Sequence, residues 1–113
     1  MTKLYGIKNC DTVKKARQWL EEHGKAYQFH DFRVDGLSLE LLTCFSSQFG
    51  WEQMINKRGT TWRSLPESDR AALNQEKALT LMLQNPTLIK RPILDTQRGW
   101  IIGFDVEQYT QHF

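Results

Sequence analysis

The chain has 113 residues, 40% of them hydrophobic and 12% aromatic, and its 15 basic and 13 acidic side chains leave a formal charge of only +2. That length suits one domain with a single core, and so even a balance of charge argues against wholesale nucleic-acid or membrane binding; any anion preference has to be local. No run approaches the roughly 18 consecutive apolar residues of a membrane span, and "MTKLYGIKN" lacks a secretory apolar stretch, so a cytoplasmic protein is expected.

Lys3 to Ile7 reads as a short strand, with bulk at Leu4, Tyr5 and Ile7 and with Gly6 leaving room for close backbone approach. From Thr12 the period changes: Val13, Ala16 and Leu20 fall at i, i+3 and i+7, Trp19 flanks them, and Gly24 stands where a helix C-terminal cap belongs. "AYQFHDF" alternates, which predicts a second strand and so a βαβ unit with a parallel pair. After "RVDG", Leu41, Phe45 and Phe49 recur every four residues and predict a helix over 38–49, with Cys44 beside the apolar stripe.

Residues 51–85 have no alternating runs. Pro66-Glu67 is a helix start and "KALTLMLQ" is helical until Asn85-Pro86 stops it, so the middle of the chain is expected to be all-helical. "RPILDTQRGWIIGF" then holds two short apolar runs joined by a polar segment ending in Gly99, a hairpin. Asp105 and Gln108 have capping-box spacing before a last helix with Val106, Tyr109 and Phe113 on one face. The order β-α-β, helices, β-β-α predicts a thioredoxin-like α/β fold. It would have a mixed four-stranded sheet, in one domain over 1–113 with a helical insertion at about 38–85.

The chemistry centres on Cys10, which sits among polar residues just before the first helix. A cysteine reacts as its thiolate, and a free thiol with a pKa of about 8.5 is only slightly ionised at neutral pH. The N–H groups of a helix N-terminus favour the anion, and Lys8, Lys14 and Lys15 add positive charge that Asp11 opposes. A tolerated loop residue is the plainer reading; the strand-to-helix junction favours a functional thiol. Valine at position 13, where a dithiol oxidoreductase carries its second cysteine, leaves no local resolving thiol. Resolution then needs an outside reductant such as glutathione, or a disulfide with Cys44, which its apolar helical neighbourhood assigns instead to packing. His23, His30 and His112 are isolated, and no metal-ligand spacing is present.

Two further elements are candidates for anion binding beside Lys8 and Asn9. In "LIKRPIL", Arg91 precedes Pro92, the position of a cis bond in a thioredoxin-like fold, and is either an oxyanion clamp or a solvated corner residue. In "INKRGTTWRSL", Lys57, Arg58 and Arg63 surround Gly59 and either hold an anion or form a solvated basic loop. Three charges with one aromatic are a weak nucleic-acid footprint.

Together "LYGIKNCDTVKKARQWLEEHG", "RVDGLSLELL", "NKRGTTWRSL" and "LIKRPIL" resemble, in the right order and over essentially the whole chain, the ArsC arsenate reductase-like proteins, and most closely their YffB-like branch. The resemblance implies Cys10 as nucleophile, Arg91 as an oxyanion-binding residue with Pro92 as the structural cis-proline, and glutathione- or glutaredoxin-dependent thiol chemistry on a small oxyanion or disulfide with no bound cofactor. Three positions depart from the arsenate reductases. The histidine four residues before the cysteine is Gly6, the arginine of the insertion falls nearest Asn56 with Arg58 two residues on, and the arginine after the hairpin aligns with Gly103. Each departure removes part of an arsenate site, so the resemblance implies a monothiol reductase more strongly than it implies arsenate as natural substrate. The alternative within the family is an Spx-like regulator that binds RNA polymerase, with Cys10 as redox sensor; such proteins commonly carry a second cysteine where this chain has Val13.

Overall fold

Strand β1 (Lys3–Gly6) lies at the centre of a four-stranded sheet of order β2-β1-β3-β4 in the computed structural model, which describes residues 1–113. It pairs in parallel with β2 (Gln28–Asp31), setting Leu4 beside Phe29 and Gly6 beside Asp31, and antiparallel with β3 (Ile93–Thr96), setting Leu4 beside Leu94. β3 continues through a hairpin into β4 (Gly99–Ile102). The mixed sheet is the thioredoxin-like arrangement expected from the order of elements. A parallel neighbour cannot be reached by a tight turn, and helix α1 (Asp11–Glu22) supplies the crossover between β1 and β2.

The chain divides into two compact units, one made of Met1–Gly36 with Arg91–Phe113 and the other of Leu37–Lys90. In the first, the apolar stripe of α1 covers one face of the sheet: Ala16, Trp19 and Leu20 close a core with Leu4, Leu94, Ile101 and Tyr109, the last from helix α7 (Val106–His112). Tyr109 makes edge-on contacts with Trp19 and Phe104, at ring separations of 5.4 and 4.9 Å. α1 ends in a Schellman motif: Lys25 N–H reaches Leu20 C=O at 2.9 Å, Gly24 N–H reaches Glu21 C=O at 3.2 Å, and Gly24 takes φ 64°.

The second unit is helical, built on α2 (Leu39–Phe49) and α6 (Gln75–Gln84), with the short helices α3 (Trp51–Met54), α4 (Thr60–Ser64) and α5 (Glu67–Arg70) between them. Ser38 caps α2 by accepting the Leu41 N–H, and Asn74 caps α6 by accepting the Lys77 N–H. Pro86 stops α6 but not the ordered chain. A 3-10 turn over Pro86–Leu88 leads to an isolated antiparallel bridge between Ile55 and Ile89, an extended contact that a periodicity search in an all-helical segment does not find. No helix is long and apolar enough to cross a membrane.

Two local expectations are corrected. Strand β2 is four residues long, Gln28–Asp31: beyond it the Phe32 N–H still reaches the Gly6 carbonyl of β1, and the chain then turns back so that the Asp35 N–H meets the Asp31 carbonyl. The Asp105–Gln108 spacing does not form a reciprocal capping box: the Asp105 carboxylate accepts the Glu107 N–H at 3.0 Å, and the Gln108 amide donates to that same carboxylate at 3.2 Å.

Candidate functional site

Cys10 is the N-cap residue of α1, with extended backbone angles (φ −129°, ψ 125°) and a carbonyl that accepts the first helical bond, from Lys14 N–H at 2.9 Å. Serine or aspartate is the usual choice at such a position, because the first-turn N–H groups need an acceptor. A neutral thiol is a poor one and makes no capping hydrogen bond; a thiolate is a good one. The position therefore favours ionisation.

The side chain is half-buried, so it is reached by solvent without being fully hydrated. Partial burial is the largest single influence on its pKa and opposes the anion. The N–H of Val13, the hydrogen bond and positive charge of Arg91, and the N–H of Thr12 act together in the other direction, and the balance holds the thiol below its ordinary value. Arg91 comes to Cys10 from a distant part of the chain: it lies two residues before the start of β3, the Arg91–Pro92 bond is cis, and Pro92 is buried. Cys10 and Arg91, eighty-one positions apart in sequence, belong to the same unit and form one constellation.

The β1–α1 loop that carries the thiol is tied from below by Asp31, a buried carboxylate that accepts the backbone N–H of Lys8 at 3.2 Å and of Arg33 at 2.8 Å. In the sequence Asp31 reads only as one face of a strand. Its role is set by a contact spanning twenty-three positions, which the signal of a lone acidic residue at a strand end does not reveal. Lys8 and Asn9 are exposed, and the interaction of Lys8 with Asp31 is through the main chain.

Gly6 and Val13 form a second local device. A Cβ on Gly6 would lie 2.8 Å from Val13 Cγ2, and Val13 is fully buried with a stiff branched side chain. One substitution thus accounts for two features at once: valine in place of a second thiol also fills the space that a side chain at position 6 would need. Against burial, the groups that lower the thiol's pKa are the Val13 and Thr12 N–H and Arg91.

The remaining anion candidate, Arg58, lies in the second unit, where Ile55, Asn56, Lys57, Arg58 and Lys90 line a concavity of about 310 Å³. Backbone and side-chain bonds hold the main chain of the turn: Asn56 N–H donates to Leu88 C=O at 2.8 Å, Arg58 N–H to the Asn56 side-chain Oδ1 at 3.3 Å, and the Arg63 guanidinium to the Arg58 carbonyl at 2.7 Å. Lys57 stands 5.6 Å above the Trp62 ring. Cys44 is corrected. It is an exposed free thiol, because the buried face of α2 runs through Leu42, Phe45 and Ser46, and one residue along a helix turns a side chain by about 100° away from such a face. No group of three His, Cys, Asp or Glu side chains is arranged to hold a metal ion.

A family model described as the ArsC family matches residues 5–112. The chain belongs to the ArsC family. An uncharacterized protein of Haemophilus influenzae is 50% identical over 113 residues, covering all of this chain and 99% of that one. A solved structure named YFFB protein superposes with a TM-score of 0.94 at 44% identity, over 99% of this chain and 98% of that one. The global transcriptional regulator Spx of Streptococcus mutans is 31% identical over 110 residues, 96% of this chain and 80% of its own length. ArsC-family membership brings a fold shared with thiol-dependent oxidoreductases and, through Spx, with regulators.

Proposed function

We propose that the protein is a glutathione-dependent monothiol reductase with Cys10 as its nucleophile. The observation that carries this reading is the Cys10 thiol itself, half-exposed at a helix N-terminus and favoured as thiolate by Val13 and Thr12 N–H and by Arg91. With a glutathione mixed disulfide as substrate, the Cys10 thiolate attacks the glutathione sulfur. The substrate leaves as a thiolate and takes up a proton, and Cys10 is left bonded to glutathione. A second glutathione thiolate then attacks that sulfur, giving oxidised glutathione and restoring the Cys10 thiolate. Arg91 steadies the anion before attack and the leaving charge afterwards. Arg58, with Lys57 and Lys90, is proposed on charge as a further anion-binding group. Two free cysteines suit a reducing compartment such as the cytoplasm.

The test is mass spectrometry after incubation with oxidised glutathione, and separately with arsenate, alongside the pH dependence of Cys10 alkylation. One glutathionyl group on Cys10, lost on adding reduced glutathione and absent in Cys10→Ser, is expected. An ordinary thiol pKa with no adduct overturns the reading.

The similarity to Spx favours one alternative, a regulator that binds RNA polymerase and uses Cys10 as a redox sensor. Polymerase recovered on the immobilised protein, and equally on Cys10→Ser, would support binding without turnover; its absence removes the alternative.

A further inference from the structure

Asp31 is the junction of two loops. Its carboxylate accepts Lys8 N–H from the β1–α1 loop and Arg33 N–H from the turn after β2. Its own N–H donates to the Asp35 carboxylate at 2.8 Å, and its carbonyl accepts the Asp35 N–H at 2.7 Å. Phe32 N–H donates to the Gly6 carbonyl at 2.9 Å, closing the same corner from the other strand. A carboxylate only 6% exposed is costly unless its oxygens are used, and here one oxygen goes to each loop. The side chain thus spends its hydrogen bonds on main-chain atoms, which is the signature of a group that sets backbone position.

The loop it holds is short. Lys8 lies two residues before Cys10, and from the Cys10 carbonyl onward the helix itself is the restraint, through Lys14 N–H. Between those two anchors only Asn9 is left, and it is exposed. The position of the sulfur relative to Thr12 N–H, Val13 N–H and Arg91 is therefore governed by the Lys8–Asp31 bond on one side and by the helix on the other.

We propose that Asp31 is a positioning residue: its carboxylate fixes the β1–α1 loop and so holds the Cys10 sulfur against its anion-stabilising partners. This rests on the reading of Cys10 as a reactive thiolate. The charged side chain that acts on the sulfur is Arg91, from the segment preceding β3; Lys8, Asp11, Lys14 and Lys15, its neighbours in sequence, are exposed to solvent.

The sign of the effect separates positioning from charge. Removing a nearby negative charge without moving anything favours the thiolate; letting the loop drift from its N–H partners disfavours it. The experiment is the pH profile of Cys10 alkylation by iodoacetamide in wild type, Asp31→Ala and Asp31→Asn, with Cys44→Ser as common background and folding checked by circular dichroism. Asp31→Ala is expected to move the inflection upward and, below both inflections, to slow alkylation by roughly three- to tenfold. Asp31→Asn keeps one acceptor oxygen for two N–H donors and is expected to show a smaller shift of the same sign; it decides the matter if Asp31→Ala does not fold. A profile unchanged or shifted downward in the folded variants overturns the role of Asp31, even if their melting temperature falls. A wild-type thiol that titrates at its ordinary value overturns both this proposal and the reactive-thiol reading.

Discussion

The two units each carry one cysteine, and the two thiols are opposites. Cys44, in the helical unit, is exposed on the flank of α2; Cys10, in the sheet unit, is half-buried yet surrounded by groups that favour its anion. Access is therefore greater at the cysteine with less chemistry. Reactivity depends on donors aimed at the sulfur, and a helix flank has none to offer because its N–H groups are already bonded to carbonyls four residues back. The two units differ in the same way at their glycines: Gly6 is packed against a rigid branched side chain, Gly59 against the end of a flexible amide.

Exchange of the two cysteines gives the largest contrast. Cys10→Ser is expected to abolish glutathionylation at that site and any glutathione-dependent turnover, whereas Cys44→Ser leaves turnover at the wild-type rate; turnover lost equally in both would break the distinction. The glycines come next. Gly6→Ala places a methyl group 2.8 Å from Val13 Cγ2 and is expected to cost about 1–3 kcal/mol in urea unfolding, largely recovered in Gly6→Ala/Val13→Ala. At Gly59 the contact is the Asn56 Nδ2 amide tip at 2.9 Å, which can move aside at the expense of the long 3.3 Å bond its Oδ1 accepts from Arg58 N–H, so Gly59→Ala should cost less than Gly6→Ala, up to about 1 kcal/mol.

Arg91→Ala sharpens the electrostatic half of the contrast. Arg91 lowers the Cys10 pKa, so its loss moves the titration upward; at a pH below both inflections the thiolate fraction and the alkylation rate fall, by about tenfold for every whole pH step the inflection moves. As pH rises past the ordinary thiol value the two proteins converge, since both are then ionised. Arg91→Lys retains charge without the planar fork and should fall between them. The smallest effect is in the core: the Tyr109 hydroxyl is buried without a hydrogen-bond partner, so Tyr109→Phe is expected to be neutral or to stabilise by up to about 1 kcal/mol, read as an unchanged or raised melting temperature.

Much of the fold was legible because its signals are local. The i, i+3, i+7 pattern of Val13, Ala16 and Leu20 marks α1, and all three residues are fully buried. Gly24 marks the end of that helix through a backbone angle that other residues rarely adopt. The candidate thiol was legible for a similar reason, since the change from strand to helix period places Cys10 at a helix start. Cys44 was misjudged because Leu41, Phe45 and Phe49 suggested a stripe rotated from the one α2 buries, and a small angular error suffices to move a residue from core to solvent.

By itself the sequence determined the order of strands and helices, the single thiol at the head of α1 and the absence of a second one at Val13, because each depends on spacing within a few residues. The tertiary structure alone decided what that thiol is. Burial opposes its ionisation, Arg91 arrives from eighty-one positions away to favour it, and Asp31 anchors its loop from twenty-three positions away. Those effects act through space at hydrogen-bonding range, where sequence separation carries no information about distance.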